Sequence, residues 1–334
     1  MRCYWFKWFC MLSSLCGALN QVAPQERVFF VTGASGVLGR HLVGAIHHGS
    51  FSSPRNVWIG VRPERVPATA AEWPDGTVVP VEIDARALVD TPRESTSMQI
   101  LPPHLELPFN CSEMVVINCL GVCQHGCTLD SAVTSLGVNA LAPIRITQSI
   151  LNLVQMRTCQ RIERSVPLAT TIINISSGEG ELALLNTELQ SQIMALGDLE
   201  EWETLLRGLT TGARWNEGRE VAFGDTPWYS VSKAMLNAGT RLQQQAFEEA
   251  GVEEGTKYML APVRVMALCP GDFASPMTTI ADLLRMEEHT CTQGEVLDSI
   301  CAAILDVAVG EGAAHYRGGN FYRPTERKAE PLPW

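Results

Sequence analysis

The chain has 334 residues, 46% of them hydrophobic and 18% charged, with a formal net charge of -11. This suits a globular protein with a full-sized core. It argues against a nucleic-acid partner or stable membrane association, because both need a basic face and only the short pair Arg327-Lys328 offers one. The 11 cysteines are odd in number and unpatterned, which points to a reducing compartment rather than a secreted disulfide framework.

Residues 1–26 carry early positive charge (Arg2, Lys7) and an apolar stretch from Trp8 to Leu19, too short to span a bilayer as a helix. They read as an extension, disordered or targeting, or as sequence upstream of a true start at Met11. The expected location is cytoplasmic, with an organelle reached through this extension as the alternative. From Arg27 onward short apolar runs alternate with longer amphipathic ones, the pattern of parallel strands joined by helices. Strands are expected at 28–32, 57–61, 78–83, 114–118, 170–175, 262–268 and 320–323, apolar on both faces as doubly covered strands must be. Helices are expected after Gly36, after Val138, and from Tyr229 to just before Gly251. Residues 91–112 form a poor helix, and the long acidic stretch 178–226 reads as a helical insertion. The predicted fold is α/β: a doubly wound, Rossmann-type parallel sheet of about seven strands, in one domain over 27–334.

Directly after the first strand comes TGASGVLG, with Gly33, Gly36 and Gly39 three apart at the entrance to a helix. Glycine permits the sharp turn, and bare backbone lets N–H groups approach a pyrophosphate at the positive end of the helix. Gly33, Ser35, Gly36, Val37, Leu38 and Gly39 are therefore expected to bind a dinucleotide. Arg62, at the end of the second strand, is where an acidic residue would favour NAD; an arginine can pair with the 2′-phosphate of NADP instead. Asp84 either accepts a hydrogen bond from the adenine amino group or caps a turn. The fourth strand ends in Asn118-Cys-Leu-Gly121, where Gly121 lets the backbone pass close to a cofactor. Cys119, Cys123 and Cys127, with His125 among them, lack the distant second pair of a zinc site, and no metal is expected.

In WYSVSK, Tyr229 and Lys233 lie four apart, on one face of a helix. A nearby ammonium favours the phenolate and lowers its pKa, which suits the phenol for giving a proton to a carbonyl oxygen. The fifth strand delivers Ser176 and Ser177 to the carboxyl edge of the sheet, where ligands bind in such folds. Asn139 lies at the start of the next helix, and Pro270-Gly271 turn the chain after the sixth strand.

With TGxxGxxG, NCLG, the helix asparagine, the serine pair, YxxxK and PG in that order, the chain resembles the short-chain dehydrogenase/reductases from about Arg27 to its end. Within that superfamily it is most similar to the monomeric carbonyl reductases, which carry a helical insertion before the tyrosine. The resemblance implies an NADPH-dependent reduction of a small-molecule aldehyde, ketone or quinone. Tyr229 would be the general acid, and Lys233 would lower its pKa and hold the nicotinamide ribose. Ser177 would position the carbonyl oxygen, with Ser176 as fallback. Asn139 would anchor a water, and Ser275 would contact the carboxamide or phosphates. The insertion would cover the face that relatives use for oligomerisation, leaving a monomer. Trp202, Trp215 and Trp228 either line a hydrophobic pocket or fill core. The glycine spacing departs from the TGxxxGxG of most such reductases and matches extended members acting on nucleotide sugars. Two alternatives follow: a nucleotide-sugar epimerase or dehydratase, and a catalytically silent NADP-binding sensor.

Overall fold

The computed structural model describes residues 26–49, 55–72, 78–85, 107, 111–160, 168–211, 221–222, 224–253, 262–271, 273, 275, 277, 293–310, 313, 316–324 and 329–331. The expectations for the extension 1–25, for most of 91–112 and for Trp215 lie outside these residues.

Eight strands form one sheet: β1 (Glu26–Thr32), β2 (Arg55–Val61), β3 (Val78–Glu82), β4 (Cys111–Asn118), β5 (Ala169–Ile175), β6 (Val263–Leu268), β7 (Phe321–Pro324) and β8 (Ala329–Pro331). Their order is β3-β2-β1-β4-β5-β6-β7-β8. The first seven are parallel, as the sequence predicts, while β8 runs antiparallel to β7 through Tyr322 opposite Pro331. The order reverses beside β1, so β1 and β4 bracket the crevice where open α/β sheets bind ligands.

The helices are α1 (Val37–His48), α2 (Val66–Glu72), α3 (Leu129–Leu136), α4 (Ala142–Gln160), α5 (Thr187–Met194), α6 (Leu199–Thr210), α7 (Pro227–Glu253) and α8 (Gln293–Val309). Alternate residues of one strand feed opposite faces of the sheet. Phe29 and Val31 of β1 pack with Leu38, Leu42 and Ile46 of α1 and Ile304 of α8, whereas Val28 and Phe30 pack with Trp58 and with Ile146 and Ile150 of α4. Both faces are thus covered, which explains why the strands read as unbroken apolar runs. Pro227 opens α7 at a position needing no backbone donor, and the helix runs past Gly251 to Glu253, two residues beyond the glycine. Among the described residues no helix is long and apolar enough to cross a membrane.

The 178–226 stretch is the third layer. Its α5 and α6 lie on α3, the start of α4 and α7, forming a separate apolar cluster with Trp202, Leu206 and Leu209 at its centre. Trp202 is 1% exposed and donates from Nε1 to the Met235 carbonyl at 2.7 Å. Gly239 makes the seat: a Cβ there would stand 2.9 Å from Ile144 and 3.0 Å from the Trp202 ring. Trp202 and Trp228 therefore fill core and do not line a pocket.

Candidate active site

A cleft of about 770 Å³ opens at the carboxyl ends of β1, β4, β5 and β6. Its lining brings together Ser35, Gly36, Val37, Leu38 and Gly39 after β1, Gly121 after β4, Ser176 and Ser177 after β5, Tyr229 and Lys233 of α7, and Pro270, Gly271 and Ser275 after β6. These are residues the sequence singles out, drawn from five separate segments. Gly33 lies just behind this lining and shapes the turn.

The glycine turn is built by close approach. Gly33 has φ of 67°, and a Cβ on it would lie 2.6 Å from the Cys119 carbonyl oxygen. On Gly39 a Cβ would lie 2.4 Å from the Gly33 carbonyl oxygen. Gly36 is the N-cap of α1, with extended backbone and no side-chain cap, so the first helical N–H groups are left for an incoming acceptor. A Cβ on Gly121 would meet nothing nearer than Met277 at 3.9 Å and the Lys233 amine at 4.0 Å, so it would project into open space beside the cleft's amine. The buried Ser176 hydroxyl has no hydrogen-bond partner although it lines the cleft. A bare helix terminus, an open glycine and an orphaned hydroxyl along one cleft fit a phosphate-bearing, polar ligand such as a dinucleotide.

Lys233 is 3% exposed, and its Nζ donates to the Ile175 carbonyl at 2.9 Å. That bond ties α7 to the end of β5. The amine stands 5.6 Å from the centroid of the Tyr229 ring. Burial pulls the Lys233 pKa down to about 8, opposed by the thiols of Cys119, Cys269 and Cys123. Tyr229 moves the other way from the sequence expectation. Its pKa is raised, first by burial, against a hydrogen bond with the Ser177 side chain that lowers it, and with the Glu179 carboxylate adding to the rise. The physical reason is that desolvation of the phenolate outweighs an amine that is itself desolvated and faces the ring rather than the hydroxyl. The phenol is thereby kept as a proton carrier.

Ser177 and Ser176 separate clearly. Ser177 is half-buried, lies close enough to Tyr229 to lower its pKa, and accepts from the Glu179 amide at 3.2 Å, capping a short 3-10 turn over Gly178–Gly180. Ser176 is turned inward and buried.

Asn139 falls in one turn of π-helix, Gly137–Leu141, between α3 and α4. The widened turn aims its fully buried side chain at the loop after β4. Oδ1 accepts from the Val122 amide at 2.8 Å, while Nδ2 donates to the Val122 carbonyl at 2.8 Å and to the Ser232 hydroxyl at 2.9 Å. Asn139 thus fixes the Gly121 segment against the helix bearing Tyr229 and Lys233.

Besides Gly33 and Asn139, three candidate residues lie off the cleft lining: Asn118, Arg62 and Asp84. The Asn118 side chain is buried in a ladder of polar groups behind it. Thr32 donates to Asn118 at 3.0 Å, Asn118 donates to Asn174 at 2.8 Å and to Thr147 at 3.2 Å, and Asn174 donates to Thr240 at 2.9 Å. This side chain levels the ends of β1, β4 and β5 and is spent on that task. Arg62 is 60% exposed beyond β2 and pairs with Glu64 at 3.0 Å. Asp84 is exposed just beyond β3. Arg62 follows β2, whose Gly60 carbonyl accepts from the Gly33 amide of the glycine turn at 3.1 Å, and Asp84 follows β3, one strand further out. The cleft also has lining residues to which sequence reading gives no place in a cofactor or substrate site: Cys119, Leu120, Cys123, Glu179, Cys269, Phe273, Met277 and Arg323. Burial holds the Cys123 thiol up at about 11.

No family model matches the chain, and no curated protein matches it in sequence. Solved structures do share its fold. Salutaridine reductase from Papaver somniferum superposes with a TM-score of 0.60 at 15% identity, over 89% of this chain and 99% of the other. An NADPH-bound carbonyl reductase from chicken fatty liver gives 0.54 at 20% identity, over 92% and 95%. The carbonyl reductase Sniffer of D. melanogaster gives 0.53 at 16%, over 92% and 100%. At these identities the likeness is one of fold, and it covers nearly the whole of each chain.

Proposed function

We propose that this chain is a short-chain dehydrogenase/reductase of the carbonyl reductase type, which reduces a carbonyl group on a small molecule with NADPH. The observation that carries the reading is one cleft in which a bare α1 N-terminus leads to a half-buried Tyr229 flanked by Ser177 and Lys233. The structures of like fold with these activities in their names support it.

NADPH, when bound, supplies a hydride. Gly36, Val37, Leu38 and Gly39 would hold its pyrophosphate at the α1 terminus, with Ser35 beside them. Arg62 would take the 2′-phosphate, Asp84 the adenine edge, and Gly121, Pro270, Gly271 and Ser275 the nicotinamide half. Lys233 would hold the nicotinamide ribose. Everything else is done by the chain's own groups. A carbonyl oxygen placed between the Ser177 hydroxyl and the Tyr229 phenol accepts a hydrogen bond from each. As negative charge develops on that oxygen, the phenol releases its proton to it. Burial favours this direction because it keeps Tyr229 protonated beforehand. The Lys233 cation then stabilises the tyrosinate left behind. Asn139, locked to Val122 and Ser232, holds the two sides of the cleft in register and would anchor a water leading from Lys233 to solvent. The insertion covers the α3–α7 face with a buried apolar cluster, which supports a monomer.

The test is turnover of NADPH and NADH over a panel of aldehydes, ketones and quinones, alongside a titration of cofactor binding. Oxidation of NADPH that depends on the carbonyl compound is expected. Tight binding with no turnover on any of them would favour a silent sensor, and retained, non-exchanging NAD would favour a nucleotide-sugar enzyme. Replacing Arg62 by alanine should cost NADPH about 1.5–3 kcal/mol of binding and leave NADH nearly unaffected.

A further inference from the structure

Glu179 is the one cleft-lining carboxylate among the described residues, and the mechanism above does not use it. It lies two residues beyond Ser177, at the Tyr229 end of the cleft and away from the glycine turn. Its position is held from α7: Oε2 accepts from the Thr226 hydroxyl at 3.0 Å and from the Ser230 hydroxyl at 3.0 Å. Those two residues flank Tyr229, so the carboxylate is fixed to the same helical turn as the phenol. Its field reaches the reacting group, since it is among the causes that raise the Tyr229 pKa.

Among the described residues Glu179 makes no ion pair, although the Arg323 guanidinium lies against the neighbouring Gly178. Arg323, also on the lining, leans toward Glu181 at 3.8 Å. Lys233 is buried at the floor and bonds to Ile175. Glu179 is itself exposed to solvent. An exposed, oriented carboxylate beside a site for a neutral carbonyl group acts on whatever else the substrate carries. It attracts a cation, and it repels an anion.

Resting on the carbonyl reductase reading, we infer that Glu179 is a specificity determinant that selects carbonyl substrates bearing a protonated or quaternary amine and disfavours those bearing a carboxylate.

Three aldehydes of one shape test this: 4-(trimethylammonio)benzaldehyde, its neutral isostere 4-tert-butylbenzaldehyde, and 4-carboxybenzaldehyde, each with NADPH. The full chain should show kcat/KM at least about 5-fold higher for the cationic aldehyde than for the neutral one, and this preference should shrink with added salt. Glu179→Gln keeps an acceptor for Thr226 and Ser230 and should bring the ratio near one. Glu179→Lys should reverse the order, so that the carboxylate compound overtakes the cationic one. Because ratios within one variant are compared, an overall change in rate does not obscure the result. Equal kcat/KM for cationic and neutral aldehydes in the unaltered chain would overturn the inference while leaving carbonyl reduction intact. So would a cation preference that Glu179→Gln preserves. Absence of turnover on all three and on the wider carbonyl panel would instead overturn the reading on which it rests.

Discussion

The cleft and the insertion are built from opposite kinds of contact. Around the cleft a lysine is buried with a carbonyl for its partner, a phenol is held protonated by desolvation, and the Ser176 hydroxyl is left without a partner. Among the described residues of the insertion, buried polar side chains find partners. The Trp202 indole bonds to Met235, the Asn186 side chain caps α5 by accepting from Leu189, and Asp198 caps α6 by accepting from Glu200 and Glu201. Glu203, 12% exposed, takes both Arg145 at 2.8 Å and Arg207 at 2.6 Å. The difference teaches where this fold spends stability. The insertion strengthens the helices that carry Tyr229 and Asn139, and the cleft draws on that surplus to keep its chemical groups desolvated.

If so, damage to the insertion should cost stability and damage to the cleft should not. The largest effect is expected for Trp202→Ala, which empties the centre of the third layer and removes the Met235 bond. It should lower unfolding free energy by about 3–5 kcal/mol, measured by denaturant titration. Glu203→Ala leaves the Arg145 cation, 5% exposed, with its principal partner gone, and should cost about 3 kcal/mol by the same measurement. Lys233→Met goes the other way: turnover is lost, yet stability at pH 7 should hold or rise by about 1–2 kcal/mol.

A pH series sharpens the Lys233 case. Below about 8 the folded and the unfolded chain both hold the lysine proton, and the folded state bears the full burial penalty. Between about 8 and 10.5 the unfolded chain still binds that proton while the folded chain has released it. Stability contributed by this site therefore climbs with pH through that window, and the climb should vanish in Lys233→Met. The smallest effect belongs to Asp198→Ala, which removes the α6 cap and should cost about 1 kcal/mol, read as a shift in thermal midpoint. A destabilised Lys233→Met together with a neutral Trp202→Ala would break the contrast.

Local physics made much of this readable. β-branched runs mark the first six parallel strands and the aromatic pair of NFYR the seventh, and the spacing of Gly33, Gly36 and Gly39 marks the turn at the cleft. Tyr229, Lys233, Ser177 and Asn139 could be picked out because each stands next to a strand end or helix start that the pattern marks. What stayed hidden depends on distant partners. The duty of Asn118 in levelling strands is set by Thr32, Asn174 and Thr240, which are far apart in the chain. The π-turn that aims Asn139 leaves no mark in GVNAL. Strand β8 is three residues of a charged tail that pair with β7. Glu179 is read along the chain as part of an acidic insertion, whereas in space it belongs to the Tyr229 turn. The direction of the Tyr229 shift was missed because spacing reveals the neighbouring amine but not the burial that outweighs it.

The central claim is that the half-buried Tyr229 phenol is the proton donor in a cofactor-loaded cleft. It is tested most directly by comparing NADPH oxidation by the native chain and by Tyr229→Phe with one good aldehyde, while cofactor binding is followed by fluorescence. The account predicts unchanged NADPH affinity and a rate at least about 100-fold lower in the variant. A variant that binds NADPH and reduces the aldehyde at the native rate would contradict it.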